Sequence, residues 1–344
     1  MSSCQDHIPP MRAAGIRGVG YCVPDKVFVN SDFEQYGLSP EFVEFYFGTK
    51  ERRHAAEESY TDLGMQAAKR AIEDAGIGAS DIDMIISNST TNDHFAPSSG
   101  TLLHELLGLR KNAMTLNTNV VCCGLIYAYS IASGYIATGR FKNVLVVTGD
   151  VMFRMALGQT PFAGIFGDGV GAAVISILRE GREGIVSESF GTAGEYYDVM
   201  GLYSLGSRDN NYGHIYEGEF DIKVDTKRGA DIPIQTVEWF RSTFTGCLSQ
   251  AGLNVSDIDF VSPHQVSIPQ IRAQLESMDV PEGRTLMVSE RYGHCGGGTT
   301  PIVLTEAKRN SLVTDDDLVF AFNCAVGYQY GGMIFRWHDG EAFE

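Results

Sequence analysis

The chain has 344 residues, 44% of them hydrophobic and 20% charged, with 39 glycines and 11 prolines. That mixture is ordinary for a globular protein and excludes a disordered, collagen-like or disulfide-scaffold chain. Its 43 acidic residues against 26 basic ones leave a net charge of −17, which argues against a nucleic-acid partner, because tracking phosphates takes a dense basic face. No stretch approaches the ~20 continuous apolar residues that span a bilayer. Residues 1–20 show no positive flank followed by an apolar run, so a soluble, cytoplasmic protein is expected. The seven cysteines (Cys4, Cys22, Cys122, Cys123, Cys247, Cys295 and Cys324) are odd in number and contain no C-x-x-C pair. Neither a zinc ribbon nor a secreted disulfide framework is indicated, and most of these thiols are expected to be buried and free.

In chain order, Leu63, Ala67, Ala68, Ala71 and Ile72 recur at helical spacing. Gly76 stands where a helix C-cap glycine belongs, and Met84-Ile85-Ile86-Ser87 reads as a strand. Cys122-Cys123-Gly124 then precedes Leu125 to Ala137, apolar or small on nearly every face, which reads as a helix buried inside the protein. Val144 to Thr148 has the continuous apolar run of a strand covered on both faces. From Arg179 to Asp231 a segment rich in Gly, Tyr and Asp breaks the alternation and reads as loops and short strands, a cap. The first pattern then returns, with Val237, Phe240, Phe244 and Leu248 at helical spacing, Gly252, and the strand Phe260-Val261-Ser262. Six of ten positions are identical between Ala75–Met84 and Ala251–Phe260, about half a chain apart, and Leu318 to Phe322 repeats Val144 to Thr148. The repeat predicts two similar α/β halves, 1–178 and 179–344, packed as one body with corresponding strand ends near a shared pseudo-twofold axis, where ligands of α/β sheets tend to sit.

A cysteine placed just before a helix lies in the field of free N–H groups, which favour the nucleophilic thiolate and can hold a developing oxyanion. Pro263-His264-Gln265 follows the second-half strand directly. Tyr292-Gly293-His294-Cys295-Gly296-Gly297-Gly298-Thr299-Thr300-Pro301 is a glycine-dense loop leading into a helix over Ile302 to Asn310, and its glycines let the backbone approach a ligand closely. Carried across at the repeat's offset, Cys122 falls on Gly298, so this loop is the second-half counterpart of the cysteine elbow. A metal reading of Cys122, Cys123, Cys295, His264 and His294 is disfavoured, because adjacent cysteines bind one ion poorly compared with C-x-x-C spacing. No metal is expected.

With Gly48-Thr49-Lys50-Glu51-Arg52-Arg53 and Phe166-Gly167-Asp168-Gly169-Val170-Gly171-Ala172-Ala173 added to these segments, almost the whole chain resembles the thiolase superfamily. It is most similar to β-ketoacyl-acyl-carrier-protein synthase III. The resemblance implies a five-layered αβαβα fold of two duplicated halves, usually a homodimer, though a heterodimer is open. It implies that Cys122 takes an acyl group from a thioester, and that a malonyl-type or β-ketoacyl thioester then condenses with it, decarboxylating. The backbone N–H groups of Cys122 and Val326 would hold the oxyanion, and His264 and His294 would donate to the enolate. Fatty-acid-derived or polyketide specialised metabolism is the expected setting.

Four departures qualify this. His294 stands where synthase III has an asparagine, as in the elongating ketosynthases, which leaves open acyl transfer to an oxygen, nitrogen or carbon nucleophile without decarboxylation. Ser267 replaces an asparagine. Phe42 and Tyr46 stand where a tryptophan and an arginine bracket the adenine of coenzyme A, so an acyl carrier protein is favoured over coenzyme A as the thioester carrier; no other cofactor is implied. Val326 stands where a glycine is usual, giving up that residue's freedom at positive φ. An acidic carrier protein would dock on basic residues, for which Arg272, Lys50, Arg52 and Arg53 are the candidates. A non-catalytic partner subunit is disfavoured, since it would need neither Cys122 nor His264.

Overall fold

A computed structural model describes residues 11–157, 162–202 and 222–344; Cys4 and positions 203–221 of the expected cap lie outside them. In chain order the strands are β1 (Ala14–Cys22), β2 (Val27–Val29), β3 (Glu51–Arg53), β4 (Met84–Asn88), β5 (Met114–Thr118), β6 (Asn143–Asp150), β7 (Gly169–Ile177), β8 (Ile185–Thr192), β9 (Met200–Leu202), β10 (Ile222–Val224), β11 (Phe260–Ser262), β12 (Leu318–Ala325) and β13 (Gln329–Arg336). One sheet runs β1-β7-β6-β4-β5 and a second runs β11-β12-β13-β8. Read from the other edge, the second is the first again: an antiparallel outer pair (β1 with β7, β8 with β13), an antiparallel inner pair (β7 with β6, β13 with β12), then a parallel neighbour (β4 on β6, β11 on β12). Only β5 has no counterpart among the described residues.

The layers follow from the period-two alternation of strands that are buried on both faces. Met84, Ile86, Val144 and Val146 face one apolar cluster, whereas Ile85, Leu145 and Val147 face another. The second cluster is closed by the helix Tyr60–Asp74, through Leu63, Ala67, Ala68 and Ala71. The first lies between the sheets and contains the helix Gly124–Ala137, together with Ile302, Val303, Leu304 and Ala307 of the helix Thr299–Arg309. On the far side, Phe240, Phe244 and Leu248 of the helix Ile232–Ala251 pack on Phe320 and Phe322, with the rings of Phe244 and Phe320 stacked at 3.9 Å. Helix, sheet, central helices, sheet and helix make the five layers of the thiolase-like fold.

The repeated residues carry repeated duties. Asp81 and Asp257 each accept a bond at 2.8 Å from the backbone N–H three residues earlier, closing the turn after the outer helix. Asp83 accepts from the N–H of Asn143 and Asp259 from that of Leu318, so each fastens the start of the central strand in its own half. Gly76 and Gly252 sit at φ 64° and 69° beyond the two helices, as their C-cap positions require.

One expectation is corrected in part. The segment after Arg179 contains, besides short pieces, the full eight-residue strand β8, which forms an edge of the second sheet. Its sequence, Ile-Val-Ser-Glu-Ser-Phe-Gly-Thr, lacks the apolar run of the central strands because one face is half exposed. Among the described residues no helix is long and apolar enough to cross a membrane, and six cysteines are free.

Candidate active site

The chain leaves β5 and turns tightly through Val121–Cys123 into the buried helix Gly124–Ala137. Within this elbow Val121 has φ 47°, a left-handed conformation that β-branched residues avoid. Cys122, next in sequence, is only 7% exposed. From the other half, β11 ends at Ser262 and delivers His264 one residue after Pro263.

His294 is fixed by main chain from the first half. Its N–H donates to the Ile165 carbonyl at 2.8 Å, and its own carbonyl accepts from Gly167 N at 3.1 Å. This explains locally the Phe166–Gly169 motif. Asp168 accepts from the N–H groups of Ala55 and Phe153, both at 2.8 Å, and so holds in place the strand end against which the His294 loop lies.

The three expected side chains converge. Cys122 Sγ lies 3.3 Å from His294 Nε2. The rings of His264 and His294 stand 5.1 Å apart at 89°. One donor atom from each of the three residues lies within 4.8 Å of the others. Both imidazoles are 4% exposed.

The proton positions follow from partners. His294 Nδ1 lies 2.9 Å from the Gln265 carbonyl; a carbonyl only accepts, so Nδ1 carries the hydrogen and the Nε2 lone pair faces the thiol. Sequence reading gave His294 the part of an inward donor; in the resting protein this nitrogen is an acceptor instead. Burial holds His294 neutral, lowering its pKa to about 4 against a smaller opposing effect of the Gln265 carbonyl. Burial and then the neighbouring His294 hold that of His264 well below its ordinary value. His264 Nδ1 is buried without a hydrogen-bond partner.

The thiol is also corrected. Helix N–H groups were expected to favour thiolate, but burial dominates and pushes Cys122 well above its ordinary value, with the field of Asp150 acting in the same direction. The resting pair is therefore a neutral thiol donating to a neutral imidazole, and charge separates only when the thiol reacts. One sulfur and two imidazole nitrogens so close match the ligand number of a catalytic zinc site with an open fourth position. Cys295 does not join them: its Sγ points to the carbonyl of Tyr292 at 3.6 Å. Cys123 points to that of Gln329, also at 3.6 Å.

Other expected residues fall elsewhere. Val326 follows β12 in a turn whose positive φ, 120°, belongs to Gly327, so the valine backbone is spared the conformation that its side chain would resist. Phe42 and Tyr46 lie on the helix Pro40–Phe47 with ring centroids 4.5 Å apart, Tyr46 being 55% exposed. That helix packs against Ile268–Glu276, which carries Arg272. Ser267 caps the latter helix by accepting from Gln270 N. Arg272 is exposed and paired with Glu282 at 2.9 Å; Lys50 pairs with Glu290 at 2.5 Å and Arg53 with Glu51 at 3.2 Å.

Arg52 is not a surface docking residue. Its β3 position faces inward, it is fully buried, and its guanidinium donates to Asn30 Oδ1 at 2.8 Å and the Gly164 carbonyl at 2.9 Å while lying over the Phe33 ring. Burial lowers its pKa to about 10.

Two participants went unassigned in the sequence. Gln265 holds His294 through its carbonyl, and its side chain bonds the Leu286 carbonyl at 2.6 Å and Ser289 N at 3.2 Å, bracing the approach to the His294 loop. Its place beside His264 was the available signal. Thr299, at the start of the following helix, accepts from Cys295 N at 3.0 Å.

Comparison with known proteins agrees with this geometry. Residues 116–194 match the family model for 3-oxoacyl-[acyl-carrier-protein] synthase III, and residues 248–337 match that for its C-terminal part. A β-ketoacyl-[acyl-carrier-protein] synthase III of Geobacillus kaustophilus is 33% identical over 327 residues, covering 94% of this chain and 99% of the relative. The crystal structure of 3-oxoacyl-[acyl-carrier-protein] synthase III from Aquifex aeolicus superposes with a TM-score of 0.84 at 26% identity, over 94% of this chain and 100% of that one. The priming β-ketosynthase of the R1128 polyketide biosynthetic pathway gives 0.84 at 26% identity, over 97% and 98% of the two chains. With its thiol and paired imidazoles at the seam of two matching halves, this chain belongs to the β-ketoacyl-acyl-carrier-protein synthase III family of the thiolase superfamily.

Proposed function

We propose that the protein is a condensing acyltransferase in which Cys122 carries the acyl group. The observation that bears most weight is the 3.3 Å contact between Cys122 Sγ and the unprotonated Nε2 of His294. As the sulfur attacks the carbonyl carbon of an acyl thioester, its proton passes to His294 Nε2. The carbonyl oxygen becomes an oxyanion, for which the backbone N–H of Cys122 and, from the turn after β12, that of Val326 are the donors. Collapse expels the donor thiolate, which takes the proton back from His294, leaving acyl-Cys122.

A malonyl-type thioester then loses carbon dioxide. The enolate oxygen accepts from His264, whose Nδ1 is otherwise unpartnered. The enolate carbon attacks the acyl carbonyl, and cleavage of the C–S bond releases a β-ketoacyl thioester and the Cys122 thiolate, which takes a proton from solvent to restore the thiol. The neutral state of both rings suits this, since a positive charge there would hold the malonyl carboxylate instead of letting it leave.

Intact-protein mass spectrometry with a panel of acyl thioesters, followed by carbon dioxide release on adding the malonyl thioester, tests the scheme. An adduct on Cys122 with stoichiometric gas release supports it; an adduct that survives Cys122→Ala refutes it. A second reading, acyl transfer to an oxygen, nitrogen or carbon nucleophile without decarboxylation, draws on the same acceptor nitrogen of His294 as a base, and would show turnover without carbon dioxide. The donor is proposed to arrive on an acyl carrier protein at the face bearing Arg272, in the cytoplasm, where free thiols persist. A homodimer is proposed as the working state, β5 being an open sheet edge; light scattering reads this directly.

A further inference from the structure

We infer that Asn88 is a positioning residue for acyl transfer, aiming and polarising the Cys122 backbone N–H through the peptide bond between Val121 and Cys122. The inference rests on Cys122 being the acyl acceptor. Asn88 ends β4 and is fully buried. Register places Thr118 of β5 on one side of it and Thr148 of β6 on the other. Its Oδ1 accepts from Thr118 Oγ1 at 3.1 Å and from Val120 N at 3.0 Å. Its Nδ2 donates to the Val121 carbonyl at 2.8 Å and to Thr148 Oγ1 at 3.0 Å. Because a backbone N–H only donates and a carbonyl only accepts, these contacts fix which end of the amide is which.

The two backbone atoms that Asn88 grips flank the φ of Val121, 47°. Such a conformation costs about 1–3 kcal/mol and persists only where the surroundings over-determine it. The clamp supplies that constraint. Moreover, the Val121 carbonyl and the Cys122 N–H belong to one planar trans peptide and point in opposite directions. Fixing the carbonyl toward Asn88 therefore directs the N–H away from it, and a hydrogen bond accepted by the carbonyl strengthens the N–H as a donor. The second half seals the arrangement: a Cβ on Gly297 would lie 2.2 Å from Thr148 Oγ1 and 2.9 Å from the Val121 carbonyl. Only a residue without a side chain fits there.

Two reactions at the same sulfur separate aiming from mere support. Acylation by an acyl-carrier-protein thioester develops an oxyanion; alkylation by iodoacetamide displaces iodide at a saturated carbon and develops none. Both are scored at Cys122 by peptide mass spectrometry on folded Asn88→Ala and Asn88→Ser proteins, the serine variant serving if the alanine one folds poorly. Acylation should slow about ten- to a hundredfold, the scale of a misaimed oxyanion donor, while alkylation changes by less than about threefold. Parallel losses in both reactions, or no loss in acylation, would overturn the inference alone. Absence of any wild-type adduct on Cys122 would overturn the functional reading with it.

Discussion

Burial of His294 has a thermodynamic signature that can be measured without substrate. Its pKa falls from 6.5 to about 4 in the folded protein because burial disfavours the imidazolium. Between those two pH values the unfolded chain has taken up a proton and the folded one has not, so stability declines as the pH is lowered. At about 1.4 kcal/mol per pH unit, the contribution is about 3 kcal/mol, absent above pH 6.5 and complete below pH 4. His264 shifts in the same direction for the same reason, and adds to the slope. Urea unfolding of wild type and His294→Asn, stepped between pH 7 and pH 4, isolates the share of one ring: the variant should lose about 3 kcal/mol less across that range. Superimposable pH profiles would refute the neutral-imidazole state on which the mechanism depends. The same state requires that wild-type acylation show no inflection near pH 6.5.

Three further outcomes are expected. Arg52→Met should destabilise the protein by about 3 kcal/mol, since it takes the guanidinium donors from Asn30 Oδ1 and the Gly164 carbonyl in the interior, while acylation per folded molecule stays unchanged; a raised KM with unaltered stability would restore Arg52 to a binding role. Arg272→Glu should raise KM severalfold for a carrier-protein donor and leave the coenzyme A donor and stability alone, an exposed pair with Glu282 being worth ~0–1 kcal/mol; equal effects on both donors would remove Arg272 from carrier docking. Zinc should slow acylation in competition with the donor and be reversed by chelator, because Cys122, His264 and His294 present their donor atoms within 4.8 Å; zinc bound equally well by Cys122→Ala would refute that assignment.

Much of this was legible before any coordinates. The repeat around Ser80-Asp81-Ile82-Asp83 and Ser256-Asp257-Ile258-Asp259 announced matching halves because those aspartates cap turns and strand starts that both halves need. Cys122, His264 and His294 could be named because each stands at a strand end or helix entry. What stayed hidden depends on register and direction. A three-residue strand such as β3 is too short for alternation to say that Arg52 faces inward while Arg53 does not. Asn88 gains its part only from the alignment of β4, β5 and β6 beside the elbow, which brings Thr118, Val120, Val121 and Thr148 around its amide. The acceptor state of His294 lay in a carbonyl, Gln265 O, which no side-chain pattern reveals.

The loop carrying His294 is hydrogen-bonded to the Ile165–Gly167 segment through main chain, with the Phe166 ring 6.0 Å from the imidazole. Side chains that make no contact with this seam, with Gln265 or with Asn88 can thus be exchanged while the hydrogen bonds that hold the His294 loop stay in place. The same fastening couples the parts of the chain in inheritance: a chimera joining the front of one relative to the back of another keeps its catalytic spacing only if both parents share this backbone seam.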